Sequence, residues 1–224
     1  MPIFSKPNCT ACIVRGDKNY PNRLNDLHDP PSNLYIDGDL GLLKSPMIAI
    51  VGSRRASAEG LKNAATFAQE LSRAGLLIVS GLARGIDGAA HQASLSLGPK
   101  HFTMAVCGAG VDVIYPKEHL SLARNIQNQG LLVSEYPLGT PPKSSHFPRR
   151  NRIIAAFSIG VLVIEAAEKS GSLITARLAL ELGREVFAVP GSIRQPFSRG
   201  CNLLIQQGAK LVQNPQDVLE ELVF

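Results

Sequence analysis

Six continuous apolar runs follow one another from residue 47 onward, and glycine-containing turns and helical stretches separate most of them. The runs cover residues 47–51, 76–79, 103–107, 131–134, 160–164 and 186–189. Continuous rather than alternating hydrophobicity is typical of parallel strands that are buried on both faces of a sheet. The six runs therefore predict a parallel sheet.

The segments between the runs carry apolar residues at the spacing of a helix. In residues 59–74 the apolar side chains recur at helical intervals, and Gly75 follows as a C-cap. The alternation of strand and helix predicts an α/β fold, an extended Rossmann-like, doubly wound, mostly parallel sheet with helices on both faces. Further helices are predicted over residues 88–97, 117–129, 172–182 and 215–222, and another from Asn151 to Phe157.

Residues 1–45 form a polar preface that lacks this alternation. They contain a turn at 29–32 and a short strand-like run at 34–39. We expect the preface to pack on the edge of the main domain, residues 46–224, rather than to fold alone. A chain of 224 residues suits one large α/β domain with such an appendage.

The charge is unevenly distributed along a chain of ordinary composition. Hydrophobic residues make up 45% and charged residues 18%, which excludes disorder for most of the chain. The net charge is +5, and no acidic residue lies between Tyr136 and Ile164 or between Val186 and Gln216. A surface kept free of carboxylates favours contact with a polyanion.

Cysteine usage and hydropathy exclude several classes of protein. Cys9 and Cys12 form a lone C-x-x-C with no second pair at metal spacing, so we expect no metal site. We see no secretory signal, and no apolar stretch approaches the roughly 20 residues that cross a bilayer. We therefore expect a soluble, cytoplasmic protein with no membrane contact.

Glycine-rich turns follow the predicted strands. In a doubly wound sheet, ligands bind outside the carboxyl ends of the strands. Small residues let a ligand approach the backbone, and helix N-termini attract anions. Each turn alone is typical of ordinary chain reversal, but together they predict a platform for a polyanion. The turns are Gly52-Ser53-Arg54-Arg55, Ser80-Gly81-Leu82-Ala83-Arg84-Gly85, Gly108-Ala109-Gly110 and Ser170-Gly171-Ser172.

Segment 141–152 is the densest cluster of cations. It holds four of them together with Phe147, and it contains no carboxylate. Lysine and arginine neutralise phosphates, and an aromatic face stacks a base for roughly 1–3 kcal/mol. The segment predicts an interface for single-stranded nucleic acid, and the alternative is a solvated basic loop.

An enzymatic function is a second hypothesis. The dinucleotide fingerprint G-x-G-x-x-G is absent after the first strand, and no P-loop sequence is present. A nucleotide or nucleoside-phosphate hydrolase could still use Glu165, or Asp87 and His91, which four-residue spacing places on one helix face.

Other roles are open for the acidic residues and for the C-terminal part. Glu135 and Glu165 end predicted strands and could orient Arg150 or Arg152. A third hypothesis is an interaction scaffold with a partner surface near residues 195–210.

Taken in order, the motifs resemble the DprA/Smf family, the DNA-processing protein A family, from about residue 13 to 213. The resemblance rests on the turns above and on five more motifs. These are Tyr115-Pro116, Ser134-Glu135-Tyr136-Pro137, Phe147-Pro148-Arg149-Arg150-Asn151-Arg152, Val186-Phe187-Ala188-Val189-Pro190-Gly191 and Gly200-Cys201-Asn202-Leu203-Leu204-Ile205. Related hydrolases carry P-G-G-x-G-T where this chain has Ser170-Gly171-Ser172-Leu173-Ile174-Thr175, which argues against the enzymatic hypothesis.

The resemblance implies a protein that binds single-stranded DNA, protects it and loads a RecA-type recombinase onto it during natural transformation. It also implies a homodimer formed through the C-terminal part, and neither a metal nor a nucleotide cofactor. Its DNA pocket, to which we add the neighbours Arg55 and Ser144, would consist of Ser53, Arg54, Arg55, Gly81, Lys143, Ser144, Phe147, Arg150, Asn151, Arg152, Ser170, Gly171 and Ser172.

The chain departs from the family at both ends. Many members carry a small helical domain before the Rossmann part and a winged-helix-like domain after it. Here a short preface precedes it and the sequence stops at Phe224, so we expect a truncated form or a short natural variant.

Overall fold

A computed structural model describes residues 10–223, and Cys9 lies outside them. Within these residues, nine strands form one sheet in the order β1-β2-β6-β5-β4-β3-β7-β8-β9. The strands are β1 (Thr10–Val14), β2 (Asn33–Gly38), β3 (Met47–Val51), β4 (Leu77–Ser80), β5 (Thr103–Val106), β6 (Leu131–Ser134), β7 (Gly160–Val163), β8 (Glu185–Ala188) and β9 (Lys210–Leu211).

Strands β3 to β9 are parallel to one another, and the chain order reverses at β3. Val79 pairs with Ala49 on one side of β3, and Val161 pairs with the same alanine on the other. From β3 the chain winds outward through β4, β5 and β6, then returns to add β7 on the opposite side. A crevice is expected at such a switch point, outside the carboxyl ends of β3 and β7.

The helices cover both faces of the sheet. They are α1 (Ala58–Arg73), α2 (Ile86–Leu95), α3 (Leu120–Gln129), α4 (His146–Phe157), α5 (Gly171–Glu181), α6 (Arg199–Gln206) and α7 (Pro215–Leu219). Ile48 and Ile50 of β3 pack in one core cluster with α1, α2 and α7, whereas Met47 and Ala49 pack in another with α4, α5 and α6. Because successive strand residues point to opposite faces, burial on both faces requires the continuous apolar runs seen in the sequence. The predicted fold class is confirmed.

The preface extends the sheet at one edge. Strand β2 pairs antiparallel with β6, and β1 pairs antiparallel with β2. Leu24, Leu34 and Ile36 are fully buried in the same core cluster as α4. The preface is therefore polar overall but contributes a small set of side chains to the core.

Three elements were not predicted, and one helix begins earlier than expected. Strand β1 has 5 residues, strand β9 has 2 and helix α6 has 8, so each is too short to show a clear periodic pattern. Helix α4 begins at His146 rather than Asn151, with Pro148 in its first turn. Proline is tolerated there because the first backbone N–H groups of a helix have no intrahelical partner.

A search of the described residues finds no helix long and apolar enough to span a bilayer.

Candidate nucleic-acid interface

A cavity of about 460 Å³ opens at the switch point, between the loops that follow β3 and β7. We call it the switch-point cavity. Its walls come from the loop after β3, the loop after β4, the start of α4, the loop after β7 with the start of α5, and the loop before α6. It is lined by Val51, Gly52, Ser53, Arg54, Arg55, Ala83, Asp87, Arg150, Asn151, Ile154, Ala167, Lys169, Ser170, Gly171, Ser172, Thr175 and Phe197.

The loop after β3 forms the first wall and is held by its own backbone. The Ser53 hydroxyl accepts a hydrogen bond from the Arg55 amide at 3.1 Å, and the Ser53 carbonyl accepts one from Ile86 at 3.2 Å. Gly85 has φ of +70°, and a Cβ there would lie 2.2 Å from the Ser53 carbonyl oxygen. Only glycine fits this contact, which leaves the Arg54 and Arg55 side chains exposed above a fixed turn.

The buried Asp87 carboxylate holds the loop after β4. It accepts hydrogen bonds from the amides of Gly81 at 3.1 Å and Ala83 at 3.4 Å. Between them Leu82 adopts φ of +58°, an uncommon conformation for a residue with a Cβ. Burial raises the pKa of Asp87, and the nearby positive charge of Arg150 opposes this shift. Asp87 is therefore the anchor of this loop.

Arg150 is the most buried cation at the cavity, with 3% of its surface exposed. Its Nη1 donates to the carbonyls of Gly81 at 2.6 Å and of Val106, and its Nε donates to Asn151 at 3.2 Å. Burial lowers the pKa of Arg150, and the negative charge of Asp87 counteracts the effect. One nitrogen, Nη1, thus ties α4 to the ends of β4 and β5.

The N-terminus of α5 forms the floor of the cavity. Ser170 caps the helix by accepting from the Ser172 amide at 3.3 Å, and its hydroxyl lies 2.7 Å from that of Ser172. Asn151 donates from Nδ2 to the Gly171 carbonyl at 3.1 Å, which joins α4 to the same turn. The partial positive charge of a helix N-terminus favours an anion at this floor.

Phe147 lies beside the cavity, in a slot of about 40 Å³ that Arg54, Gly81, Tyr115 and Arg150 also line. The Arg54 guanidinium carbon lies 5.4 Å from the centre of the Phe147 ring, within cation–π range. Tyr115 packs against the same ring at 5.4 Å with a tilt of 36°. The aromatic pair and an exposed arginine therefore adjoin the cavity.

The structure brings most of the predicted site residues together, but not all. Eight line the switch-point cavity, and Gly81 and Phe147 line the adjoining slot. Lys143 and Ser144 are exposed in the loop before α4 and line neither space. The eight are Ser53, Arg54, Arg55, Arg150, Asn151, Ser170, Gly171 and Ser172.

Arg152 lies away from the cavity in an ion-pair cluster. Its Nη2 binds Glu135, which also accepts from Arg149, and Arg149 in turn binds Asp29 of the preface at 2.8 Å. The predicted pairing of Glu135 with Arg152 is confirmed. Arg152 is 8% exposed, so the structure gives it a part in holding α4 to the end of β6. Its predicted contact with DNA stays a prediction.

The acid–base groups of the enzymatic hypothesis are occupied by structural contacts. Glu165 accepts hydrogen bonds from the amide and hydroxyl of Ser57, the N-cap of α1, and contacts neither Arg150 nor Arg152, so that predicted pairing is wrong. His91 and Asp87 are not hydrogen-bonded to each other. The Nδ1 atom of His91 lies 2.6 Å from the Thr103 hydroxyl, and Asp87 accepts from the backbone amides of Gly81 and Ala83.

Sequence reasoning missed Lys169, Phe197 and Tyr115. Lys169 directly precedes Ser170, so its place on the cavity could have been read from the motif that follows it. Phe197 comes from the loop before α6, a helix that was not predicted. Tyr115 reaches Phe147 only through the folding of two distant loops.

Exposed cations at the cavity have no acidic partner. Within residues 10–223, Arg54, Arg55 and Lys169 form no ion pair, whereas Arg84 is paired with Glu118. No group of His, Cys, Asp and Glu side chains in the described part of the chain is arranged to hold a metal. The groups that the cavity offers to a ligand therefore include cations, hydroxyls and a helix N-terminus.

These features define a Rossmann-like α/β protein with a cation-bordered crevice at the switch point of its sheet. A family model described as DNA recombination-mediator protein A matches residues 11–223, and the chain belongs to this family. It is 51% identical over 208 residues to the DNA processing protein DprA of Streptococcus pneumoniae, covering 93% of this chain and 73% of that protein. It is 50% identical over 206 residues to protein Smf of Escherichia coli, covering 92% of this chain but 54% of that protein.

Solved structures agree with this assignment. The crystal structure of S. pneumoniae DprA matches with a TM-score of 0.92 and 49% identity over 96% of this chain and 75% of that one. DNA processing protein A from Helicobacter pylori, described for its single-stranded DNA binding mode, matches with a TM-score of 0.86 and 33% identity over 96% and 95% of the two chains. A molybdenum cofactor binding protein from Rippkaea orientalis, at 16% identity and a TM-score of 0.54, shares the fold alone.

Proposed function

We propose that this protein binds single-stranded DNA at the switch-point cavity and the adjoining slot, through phosphate and base-stacking contacts. The observation that carries the proposal is a set of exposed cations, Arg54, Arg55 and Lys169, around a floor made of Ser170 and its neighbours. These cations form no ion pair with any residue that the structure describes. Cations and helix N-termini attract phosphates whatever the base sequence, so the binding is expected to be sequence-independent.

Phe147 supports a preference for single strands over duplex. Its ring is partly exposed in the slot and lies next to Arg54, which suits a base stacked on the ring and a phosphate on the guanidinium. Bases in a duplex are paired and stacked on one another, whereas those of a single strand are free to turn toward an aromatic ring. The H. pylori relative, described as binding single-stranded DNA, supports the same assignment.

Membership of the recombination-mediator family supports the rest of the function. We infer that the bound strand is protected and that the protein helps to load a RecA-type recombinase during DNA uptake. We also infer a homodimer formed through the C-terminal part. These inferences rest on the family and not on any group of residues described above.

The test is a titration of labelled oligo-dT with the protein at two salt concentrations, read by fluorescence anisotropy, with a duplex of equal length in parallel. We expect tight binding of the single strand that weakens steeply as salt rises. Arg54→Ala should weaken binding of the single strand. Lys100→Ala should not, since Lys100 is exposed before β5, at the amino ends of the strands and not at the carboxyl ends where the cavity lies. Equal affinity for the duplex at moderate salt would overturn the proposal.

A further inference from the structure

Phe197 is an aromatic residue that lines the switch-point cavity, whereas Phe147 lines the adjoining slot. It lies in a short 3-10 turn, Pro196–Ser198, directly before α6. Its side chain is half-buried and is not part of the core clusters of the described chain. The ring is therefore available to the cavity rather than used for packing.

Hydrogen bonds hold this turn against the loop that carries Lys169. The Ala166 amide donates to the Phe197 carbonyl at 2.7 Å, and the Gly200 amide donates to the Ala166 carbonyl at 2.8 Å. Phe197 and Lys169 are thus placed on one wall by a fixed backbone, and both face the same space. An exposed cation beside a partly exposed ring is the combination found at Arg54 and Phe147.

The surroundings of this second pair also suit a polyanion. Arg194 and Arg199 flank the turn, are exposed, and form no ion pair within residues 10–223. The acidic groups nearby in sequence do not line the cavity: Glu165 is bound by Ser57, and Glu168 is absent from the lining.

The order of the strands sets the distance between the two aromatic positions. Phe147 contacts the turn after β5 at Gly108, and Phe197 follows β8. Four strand spacings separate β5 from β8 in the sheet, which at about 4.8 Å each gives roughly 19 Å. One nucleotide cannot cover that length, so a strand that reaches both rings must cross the cavity.

We propose that Phe197 and Lys169 form a second nucleotide-binding subsite, in which the ring stacks a base and the ammonium group holds a phosphate of the same DNA strand. The strand then runs across the carboxyl edge of the sheet, from Phe147 past the floor at Ser170 to Phe197. This inference rests on the proposed function, because it places a second subsite on the same ligand.

The experiment compares two oligo-dT probes, one of about four nucleotides and one of about ten, lengths within the range bound by single-strand binding modules. The proteins are wild type, Phe197→Leu, Phe197→Tyr, Lys169→Ala and the control Lys100→Ala. For the longer probe, Phe197→Leu should lose about 5- to 150-fold in affinity, the loss expected of one stacked base, and Phe197→Tyr should bind as wild type. Lys169→Ala should reduce the slope of log K against log salt by about 0.7. The shorter probe should gain less from the second subsite, so its losses should be smaller.

The outcomes separate the two proposals. If wild type binds neither probe, the proposed function itself fails. If wild type binds, Arg54→Ala weakens it, and both Phe197→Leu and Lys169→Ala bind the longer probe as wild type, the second subsite is overturned while the proposed function stands. Photo-crosslinking of wild type to oligonucleotides containing 5-iodouracil, mapped by mass spectrometry, decides the matter even if Phe197→Leu fails to fold. A crosslink at Phe197 supports the subsite, and its absence alongside a crosslink at Phe147 overturns it.

Discussion

Arg150 donates a hydrogen bond to the carbonyl of Gly81 at 2.6 Å, and the missing side chain of that glycine is the space that the guanidinium fills. A Cβ at position 81 would lie 2.4 Å from Nη2 of Arg150. The two residues come from the loop after β4 and from α4, so this contact fixes α4, which carries Phe147 and Asn151, against that loop.

Gly81→Ala should therefore destabilise the protein and weaken DNA binding together. The methyl group must displace a buried cation that bonds two carbonyls, and leaving a buried polar group without its partner costs about 1–3 kcal/mol. The lower stability should appear in urea unfolding, and the weaker binding in oligo-dT titration.

A double-mutant cycle with Arg150→Ala distinguishes steric overlap from an effect on the loop itself. In the Arg150→Ala background the methyl group meets no guanidinium, so adding Gly81→Ala should cost little further stability. If the two losses simply add, the contact between Gly81 and Arg150 is not what makes glycine necessary.

Arg54 and Phe147 should affect DNA binding in different ways. Arg54→Ala removes a cation, so it should reduce the slope of log K against log salt by about 0.7 if it neutralises one phosphate. Phe147→Leu removes a stacking face without changing charge, so it should lower affinity about 5- to 150-fold at every salt concentration with an unchanged slope. Anisotropy titrations over a series of salt concentrations measure both quantities. A changed slope in Phe147→Leu would contradict the assignment of the ring to base stacking.

The parallel sheet and its site edge could be predicted from the sequence because both depend on local pattern. The apolar run at β3 and the turn Gly52-Ser53-Arg54-Arg55 after it were enough to place the first cavity wall. Which cations stay free could not be predicted, because their partners are distant in the chain. Arg149 is bound by Asp29, 120 positions earlier, and Arg152 by Glu135, so two of the four cations in segment 141–152 are neutralised.

Glu135 should be important for stability because it is the acidic partner of a buried arginine. The Glu135 and Arg152 side chains are 8% and 10% exposed. Among residues 10–223, two nitrogens of Arg152 and one oxygen of Glu135 have no hydrogen-bond partner, so the arginine depends on this ion pair. Glu135→Gln leaves the cation buried without a counter-charge and should lower the free energy of unfolding by about 3–5 kcal/mol.

The matched control for Glu135→Gln is Glu70→Gln, which breaks the exposed pair with Arg73 on α1. Exposed pairs contribute at most about 1 kcal/mol, so the control should unfold close to wild type in urea. Equal losses in the two variants would show that the buried pair has no special role.

His91 should make the protein less stable at acid pH. It is fully buried on α2, and Nδ1 bonds the Thr103 hydroxyl, which itself donates to the Ile78 carbonyl at 2.7 Å. The proton on that nitrogen therefore belongs to His91, and Nε2 is left buried without a hydrogen-bond partner in the described part of the chain. Burial, with nearby positive charge from His119 and Arg150, lowers the pKa of His91 to about 3.

In the unfolded chain this histidine has an ordinary pKa of about 6.5, so as pH falls the unfolded state is protonated before the folded state. The free energy of unfolding therefore decreases between about pH 6.5 and pH 3, by up to about 1.4 kcal/mol per pH unit. His91→Gln should be less stable than wild type at neutral pH, and the difference should shrink across this window because glutamine does not titrate. Urea unfolding of both proteins over a pH series measures the difference directly, and the carboxylates common to both cancel. His28→Gln, at an exposed position, should show no such convergence. A gap between His91→Gln and wild type that stays constant from pH 7 to pH 4 would mean that the buried imidazole does not resist protonation.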